Sequence, residues 1–412
     1  MDRETVLVGI DPGSTKVTTL IGEVTPAGDV NVVGYGIAPS IGIKKGMVAN
    51  IEQTVQSIAT SVEKAERLSG YKIGSAFVGV GGGHISSQNS RGVVAVSGHR
   101  REVSKEDVAR ATEAARAVQV PSNREILHVI PRGYIVDGQE GIKDPVGMSA
   151  VRLEVETHIV AGASTSLQNL TKCVSSAGVQ IDELVIASLA AAEATLSDTE
   201  KELGVIIADV GGGTTDMAVF VDGAVHHSAV IPVGGIHVTN DVAIGLRTSL
   251  NLAEDVKIRH GTSNVAEVQP EELINVAVMG DGGGQTLQRR KLSEIIEARM
   301  RELYELIREE VARSGHGTPL PAGLVLTGGG ARLAGVAELA RDVLEMPVRV
   351  ATPQGVGGLM DQLANPAFST SLGLLLWGAR NVGAEPIGYT TRTPMSAGLS
   401  RAGTWIRNLF PG

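Results

Sequence analysis

Two stretches of the chain repeat the same order of apolar and polar positions. Residues 7–22 and 204–220 each begin with an apolar, strand-like run that ends in aspartate. Each continues through a glycine-rich turn with hydroxyl side chains and finishes in a second apolar run. The two aspartates, Asp11 and Asp209, lie 198 positions apart in a chain of 412 residues. A repeat on that scale predicts two similar halves, each offering one β-hairpin to a shared site.

The remaining pattern predicts a chain that mixes strands and helices. Residues 5–39 read as consecutive strands separated by turns. Residues 50–68 space their apolar positions as an amphipathic helix that stops before Gly70. Ser104, followed by acidic residues, has the character of a helix cap, and a longer helix is predicted from about 292 to 314. We therefore predict an α/β fold.

The two glycine-rich turns have the chemistry of a phosphate site. Glycine accepts positive φ, so such a turn can direct backbone N–H groups inward, and hydroxyl groups and a lysine add further donors. A carboxylate at each strand end, Asp11 and Asp209, would hold the Mg²⁺ that phosphates bring, directly or through water. The alternative is two ordinary β-hairpins with Asp-Gly turns, which need not repeat the order Asp-x-Gly-hydroxyl. The predicted phosphate-binding residues are Gly13, Ser14, Thr15 and Lys16 in the first turn and Gly211, Gly212, Gly213, Thr214, Thr215 and Asp216 in the second.

Composition narrows the classes of partner. The net charge is −9 and the sequence pI is about 5.6, which argues against nucleic acid as the main partner. The single cysteine, Cys173, excludes an intrachain disulfide and fits a reducing cytoplasm. We expect no signal peptide and no membrane-spanning helix, since no apolar run reaches the roughly 18 residues required. The nine histidines form no HExxH metal motif, and no arrangement of nucleophile and histidine supports hydrolytic chemistry.

These motifs resemble those of the actin-like ATPase superfamily and, within it, those of the FtsA family of bacterial cell-division adaptors. The segments 10–17 (IDPGSTKV) and 208–216 (ADVGGGTTD) are similar to the two phosphate motifs. The segment 327–335 (TGGGARLAG) resembles the adenosine motif, and 253–261 (AEDVKIRHG) the stretch that contacts adenosine. For the latter the alternative is a surface i,i+3 ion pair. The resemblance implies ATP as the nucleotide, with further contacts from Gly328, Gly329, Gly330, Arg332, Glu254 and Lys257.

The resemblance also implies an architecture. We expect an actin-like ATPase fold, with two duplicated mixed-sheet halves around a nucleotide cleft and an FtsA-type inserted subdomain in the first half. The strand–helix–strand–strand order between GVGGGHIS and VETHIVAG and the unusual C-terminal tail both favour FtsA over other members. The expected divisions are 1–83 and 162–203 (first core), 84–161 (inserted β-α-β-β subdomain), 204–240 and 318–378 (second core), 241–317 (second insert, for nucleotide and partner), 379–396 (flexible linker) and 397–412 (membrane-targeting helix).

The tail has the pattern of a membrane-surface helix. At 100° per residue its large apolar side chains fall on one face and its arginines on the other, and no acidic residue follows Glu385. One tail should bind an anionic membrane weakly, and several tails on one polymer should bind firmly. The alternative is a C-terminal helix docked on the body of the protein. The predicted membrane residues are Leu399, Arg401, Trp405, Ile406, Arg407, Leu409 and Phe410.

The chain differs from hydrolysing relatives at the position whose side chain would orient the attacking water. Those relatives carry Glu or Gln at the start of the helix before the second phosphate turn, where this chain has Ala187. Glu193 lies two turns further on and is expected to face solvent or an interface. Because hydrolysis needs a group that orients water, we expect ATP binding with slow or negligible turnover.

The resemblance implies a function in cell division. We expect a polymerising adaptor that tethers FtsZ filaments to the cytoplasmic face of the membrane at the septum. The basic helix 288–310 would receive the acidic C-terminal peptide of FtsZ, with Arg299 as the contact; alternatively its charges form i,i+4 pairs on a solvated face. Two other functions remain open: a pilus-associated actin-like scaffold and a small-metabolite kinase on the same fold.

Overall fold

The computed structural model describes residues 5–97, 101–277, 284–315 and 319–383. The predicted membrane residues, 399–410, lie outside these ranges. In the described ranges, no helix has both the length and the hydropathy needed to cross a bilayer. The chain opens with strands β1 (Thr5–Pro12), β2 (Lys16–Val24) and β3 (Val30–Pro39), a short hairpin β4 (Ile43–Lys44) and β5 (Met47–Val48), helix α1 (Ile51–Ser69) and strand β6 (Ser75–Val80).

A second small sheet is inserted next. Its strands pair in the order β7-β10-β8-β9, and one helix packs on it through a small apolar cluster. The chain then returns to the first half and crosses to the second. These elements are β7 (Ile85–Ala95), α2 (Lys105–Arg116), β8 (Arg124–Val136), β9 (Gln139–Ile142), β10 (Arg152–Ala163), α3 (Ser164–Ser176), β11 (Gln180–Ile186), α4 (Ala187–Thr195) and α5 (Asp198–Leu203).

The second half follows the same plan with a helical insert. Three helices and a two-stranded hairpin lie between its third and fourth strands, whereas the first half carries the small sheet. The elements are β12 (Val205–Val210), β13 (Thr215–Val221), β14 (Ala224–Ile231), α6 (Gly235–Leu246), α7 (Leu250–His260), β15 (Leu273–Ala277), β16 (Gly284–Gln288), α8 (Arg289–Arg313), β17 (Gly323–Thr327), α9 (Val336–Leu344), β18 (Val348–Val350), β19 (Val356–Gly358) and α10 (Ser369–Gly383).

The two central sheets have the same topology. The first runs β11-β6-β1-β2-β3 and the second β18-β17-β12-β13-β14, and β19 adds a sixth strand beside β3 of the first. In each sheet the three strands that come first in the chain, β1–β3 or β12–β14, pair antiparallel with one another. The two later strands, β6 and β11 or β17 and β18, add parallel pairs on the other side of β1 or β12. The repeat seen in the sequence is therefore a repeat of structure. The prediction of two duplicated mixed-sheet halves with an actin-like fold is confirmed.

Local chemistry fixes the helix ends that the sequence indicated. The Asn50 side chain accepts a hydrogen bond from the backbone N–H of Gln53 at the start of α1, and Gly70 ends that helix with φ 81°. Ser104 and Asp107 form a reciprocal capping box on α2. Each cap satisfies backbone groups that would otherwise lack a partner, so these boundaries follow from the sequence.

The position of α10, the last described helix, shows that the predicted domain boundaries are wrong near the end of the second core. Residues 356–378 were assigned to the second core, yet β19 pairs with β3, and α10 packs its leucines against β1, β2 and α4 of the first half. The physical reason is the apolar face of α10, with Leu372, Leu374 and Leu375 fully buried in the first half. The predicted linker also begins too early, because α10 continues to Gly383.

Helix α10 crosses α4 at very close range. A Cβ atom on Gly373 would lie 1.7 Å from the carbonyl oxygen of Ala190, so only glycine fits at the crossing. Further along, the Glu193 carboxylate is buried and ion-paired with Arg380 at 2.6 Å. Glu193 therefore lies at a helix–helix interface, one of the two locations expected for it.

Candidate functional site

The β1–β2 and β12–β13 turns meet at one cleft of about 120 Å³ between the two halves. Many of the predicted nucleotide-binding and magnesium-binding residues line it. They are Asp11, Gly13, Ser14, Thr15 and Lys16 from the first half and Asp209, Gly211, Gly212, Gly213, Thr214, Asp216, Gly328 and Gly329 from the second.

The two turns face each other closely enough to require glycine. A Cβ atom on Gly212 would lie 2.4 Å from Cγ2 of Thr15, and one on Gly213 would lie 2.7 Å from Oγ of Ser14. At each position an added side chain would force the facing Thr15 or Ser14 side chain to move. The glycines of the second turn therefore serve the close approach of the two hairpins as well as the turn itself.

Three carboxylates lie at the cleft, Asp216 buried and Asp11 and Asp209 partly buried, and hydroxyl groups donate to each. Ser371 Oγ donates to Asp11 at 2.9 Å, the Thr370 hydroxyl donates to Asp209, and Thr214 Oγ1 donates to Asp216 at 2.9 Å. Burial raises the pKa of all three carboxyl groups, to about 6 for Asp209 and about 7 for Asp216. The Asp216 pKa is raised further by the neighbouring Asp209 charge. Burial therefore disfavours the charged form of all three carboxyl groups.

Lys16 is the basic residue among those that line the cleft. Its ammonium donates to the Ala367 carbonyl at 2.6 Å and lies 3.7 Å from the centre of the Phe368 ring. Burial lowers its pKa, while the charges of Asp11 and Asp209 raise it. Lys16 is therefore held in place by the Ala367 carbonyl and the Phe368 ring.

The donor set of the cleft fits magnesium. Within the described ranges, no cluster of three or more His, Cys, Asp or Glu side chains could hold a metal by itself. Mg²⁺ does not need one, because it usually takes one or two carboxylates and completes its shell with phosphates and waters. Asp11 and Asp209, both lining the cleft, supply the carboxylate oxygens that such a bound ion would use.

Several predicted residues lie away from the cleft lining. Thr215 Oγ1 donates to the Val233 carbonyl at 2.8 Å, so the structure does not support its predicted phosphate contact. Gly330 packs against Val210, and Arg332 is exposed. Their place in a nucleotide site remains a prediction.

The two predicted adenosine contacts, Glu254 and Lys257 on α7, form an ion pair with each other, which is the alternative interpretation given for them above. Lys257 Nζ lies 2.7 Å from Glu254, and it also donates to Thr239 at 2.9 Å and to the Gly235 carbonyl at 3.2 Å. Neither side chain lines the cleft. Their role in adenosine binding therefore stays a prediction.

Sequence reasoning missed the start of α10. Thr370 and Ala367 line the cleft, and Ser371 holds Asp11, although this segment was not identified as a site. The signal was available as a run of hydroxyl residues, 369–371, a short distance after Pro366, since such residues are typical of helix starts. Ala187, the first residue of α4, also lines the cleft, as expected for the position at which hydrolysing relatives carry an acid.

Arg299 is engaged within its own subdomain. Its guanidinium donates twice to Asp241, at 2.6 and 3.1 Å, which raises its pKa. Elsewhere on α8, Arg290 pairs with Glu294 and Arg301 with Glu297, both at i,i+4 spacing. The alternative of a salt-bridged solvated face is thus present on this helix, and a peptide contact at Arg299 stays a prediction.

The raised pKa of Asp216 predicts a pH-dependent gain from Asp216→Asn. Between about pH 4 and about pH 7 the folded state holds a proton that the unfolded state releases, so the ligand-free protein loses stability as pH rises through this window. Asparagine does not ionise, so the Asp216→Asn variant does not lose this stability as pH rises. Relative to the unsubstituted chain, the variant should gain on the order of 2–4 kcal/mol between pH 4 and pH 8.

Urea unfolding of the two proteins at a series of pH values measures this difference. Asp29→Asn, at an exposed position, is the control and should show no such trend. A constant difference between Asp216→Asn and the unsubstituted chain across the series would contradict the assignment of a buried, destabilised carboxylate to Asp216.

Comparisons with known proteins agree on one family. The family model for cell division protein FtsA matches residues 206–373, and the model for the SHS2 domain inserted in FtsA matches residues 82–161. A cell division protein FtsA from Pseudomonas aeruginosa is 43% identical over 411 residues, covering 98% of both chains. One from Neisseria meningitidis is 40% identical over 406 residues, covering 97% of this chain and 98% of the relative.

Solved structures agree on the fold. The PilM–PilN type IV pilus biogenesis complex is similar with a TM-score of 0.65 at 17% identity, covering 92% of this chain and 99% of that chain. MreB5 of Spiroplasma citri bound to ADP is similar with a TM-score of 0.54 at 13% identity, covering 92% and 99%. At such identities the similarity indicates a shared fold and carries no function to this chain.

Proposed function

This chain belongs to the FtsA family of cell division proteins, and on that premise we propose that it is an ATP-binding, polymerising adaptor. In this proposal it tethers FtsZ filaments to the cytoplasmic face of the cell membrane at the division septum. Near full-length identity of 40–43% to cell division proteins favours this function over a pilus scaffold or a metabolite kinase.

The convergence of two phosphate-type turns on one cleft carries the nucleotide part of the proposal. Backbone amides and hydroxyls of both turns surround the polyphosphate, Lys16 neutralises charge, and Asp11 and Asp209 hold the magnesium ion that accompanies it. When bound, magnesium neutralises phosphate charge and fixes the geometry of the polyphosphate. Because the turns come from different halves, one nucleotide binds both halves and holds the cleft closed.

Hydrolysis is slow or negligible in this proposal. Ala187 offers no group that could orient water at the position where it lines the cleft. Glu193, the nearest acid along α4, is buried in its ion pair with Arg380. ATP then acts as a structural ligand that favours polymer-competent subunits. Rapid release of phosphate from the ATP-loaded chain would contradict this part.

In this proposal, membrane attachment depends on both the tail and self-association. One amphipathic tail gains partial burial of a few apolar side chains and loses conformational freedom on folding, at about 1–2 kcal/mol per ordered residue. A filament presents many tails, which raises their effective concentration at the membrane without any new contact. The proposal therefore couples polymerisation to membrane binding.

Co-flotation of FtsZ with anionic vesicles tests the adaptor function. With ATP and Mg²⁺, FtsZ should float with the vesicles only when this chain is present. Arg299→Ala should reduce the floated FtsZ several-fold, because it removes the cation proposed to bind the acidic peptide. Arg313→Ala is the matched control, since Arg313 on the same helix is also paired with acidic residues, Glu309 and Glu310.

The assay separates the parts of the proposal. FtsZ that stays at the bottom while this chain floats would overturn the tether. Equal recruitment of FtsZ by Arg299→Ala would remove Arg299 from the partner site and leave the tether in place.

A further inference from the structure

A short hairpin of the first half reaches both phosphate-type turns. Its two-residue turn, Lys45-Gly46, has φ 50° and 73°, the positive values that a tight β-hairpin needs. The Gly46 N–H donates to Ser14 Oγ at 3.0 Å in the first turn. A Cβ atom on Gly213 in the second turn would lie 3.0 Å from the Cα atom of Lys45. The hairpin turn is therefore fixed against both halves at the cleft.

Glycine at position 46 is required by a third contact. A Cβ atom there would lie 2.7 Å from Cα and N of Gly82, in the turn between β6 and β7 where the chain enters the inserted subdomain. Gly46 itself lines the cleft. The backbone of Lys45 is thereby positioned at the edge of the cleft, one residue from its lining.

The cleft lacks cations for a polyphosphate. Its lining contains three carboxylates, Asp11, Asp209 and Asp216, against one basic side chain, Lys16. The Lys16 ammonium already has the Ala367 carbonyl and the Phe368 ring as partners. A bound triphosphate adds negative charge that a single magnesium ion and Lys16 only partly neutralise.

The Lys45 side chain is exposed and free to supply that charge. It makes no hydrogen bond and no ion pair with any residue in the described ranges. The Lys45 charge affects His237 at the start of α6, in the second half. Burial lowers the pKa of His237, and the Lys45 ammonium lowers it further. The ammonium therefore lies within electrostatic range of the second half while its backbone belongs to the first.

We propose that Lys45 binds the terminal phosphate of a nucleoside triphosphate and so distinguishes it from a diphosphate. The proposal rests on the proposed nucleotide site and adds the residue that distinguishes a triphosphate from a diphosphate in that site. A diphosphate lacks the group that the ammonium contacts, so Lys45 stays in solvent. A triphosphate links the first-half hairpin to the second-half turn through this contact.

Nucleotide titrations of the full chain with magnesium test the proposal, using ATP and ADP in parallel. Lys45→Asn removes the charge and keeps a residue that tolerates positive φ. It should weaken ATP binding about 10-fold, as expected for loss of one charge-assisted hydrogen bond, and change ADP binding less than about twofold. Lys45→Arg should retain most of the preference for ATP.

Lys44→Asn is the matched control, because Lys44 is the adjacent exposed lysine and its substitution changes the net charge equally. It should leave both affinities unchanged. Equal weakening of ATP and ADP by Lys45→Asn, or no effect on either, would overturn the role of Lys45 while the nucleotide site stands. Failure of the unsubstituted chain to bind either nucleotide would overturn the nucleotide site and this inference with it.

Discussion

Replacing Gly328 by alanine is expected to abolish ATP binding and to lower the free energy of unfolding by about 2–6 kcal/mol. Gly328 has φ 85° and ψ 171°, a region that only glycine adopts without strain. A Cβ atom there would lie 2.1 Å from Oδ1 of Asp209 and 2.6 Å from the Val210 carbonyl oxygen. The methyl group would displace the carboxylate proposed to hold magnesium, so the loss of ATP affinity should exceed about 100-fold.

Urea unfolding and nucleotide titration measure the two effects. Gly329→Ala is the neighbouring control for stability, because its nearest contact would be 3.9 Å away, at Cβ of Ala367. It should change the free energy of unfolding by less than about 1 kcal/mol. If Gly328→Ala folds with the stability of the unsubstituted chain and binds ATP, the assignment of Asp209 to the nucleotide site is wrong.

Much of the fold could be predicted because its signals are local. Apolar runs ending in Asp11 and Asp209 indicated two hairpins, and their spacing indicated duplication. Asn50 and Gly70 marked the ends of α1 through capping chemistry that involves only neighbouring residues. Where sequence neighbours determine the structure, the pattern was sufficient.

The rest depends on contacts between distant residues. Helix α10 is predicted in the wrong half because the spacing of its leucines does not show which core they join. Its close approach to α4 at Gly373 and Ala190 joins residues far apart in the chain. The pairing of Arg299 with Asp241 spans 58 positions and is not visible in helix periodicity. The hydroxyls that hold Asp11 and Asp209 come from the last described helix, 360 and 161 positions away along the chain.

Truncation of the chain after Ala384 is expected to remove at least about nine-tenths of its flotation with anionic vesicles in the presence of ATP. The deleted segment contains Trp405, Ile406, Leu409 and Phe410, whose full burial would contribute roughly 1.5–3 kcal/mol each. Partial burial in the lipid interface and the cost of ordering the helix reduce this gain, so the remaining affinity depends on many tails acting together. The truncated chain should still bind ATP, because every cleft-lining residue precedes the deletion.

Two point substitutions separate burial in the membrane from simple charge. Trp405→Glu and Asn408→Glu add the same negative charge, but helical spacing places residue 405 on the apolar face and residue 408 on the polar face. If the tail lies in the lipid interface, Trp405→Glu should approach the loss seen on truncation, whereas Asn408→Glu should cause a smaller loss that shrinks as salt is added. Equal losses from both would mean that the tail is held by charge alone. Equal flotation of the truncated and full chains would mean that the tail is a docked structural helix and that another surface binds the membrane.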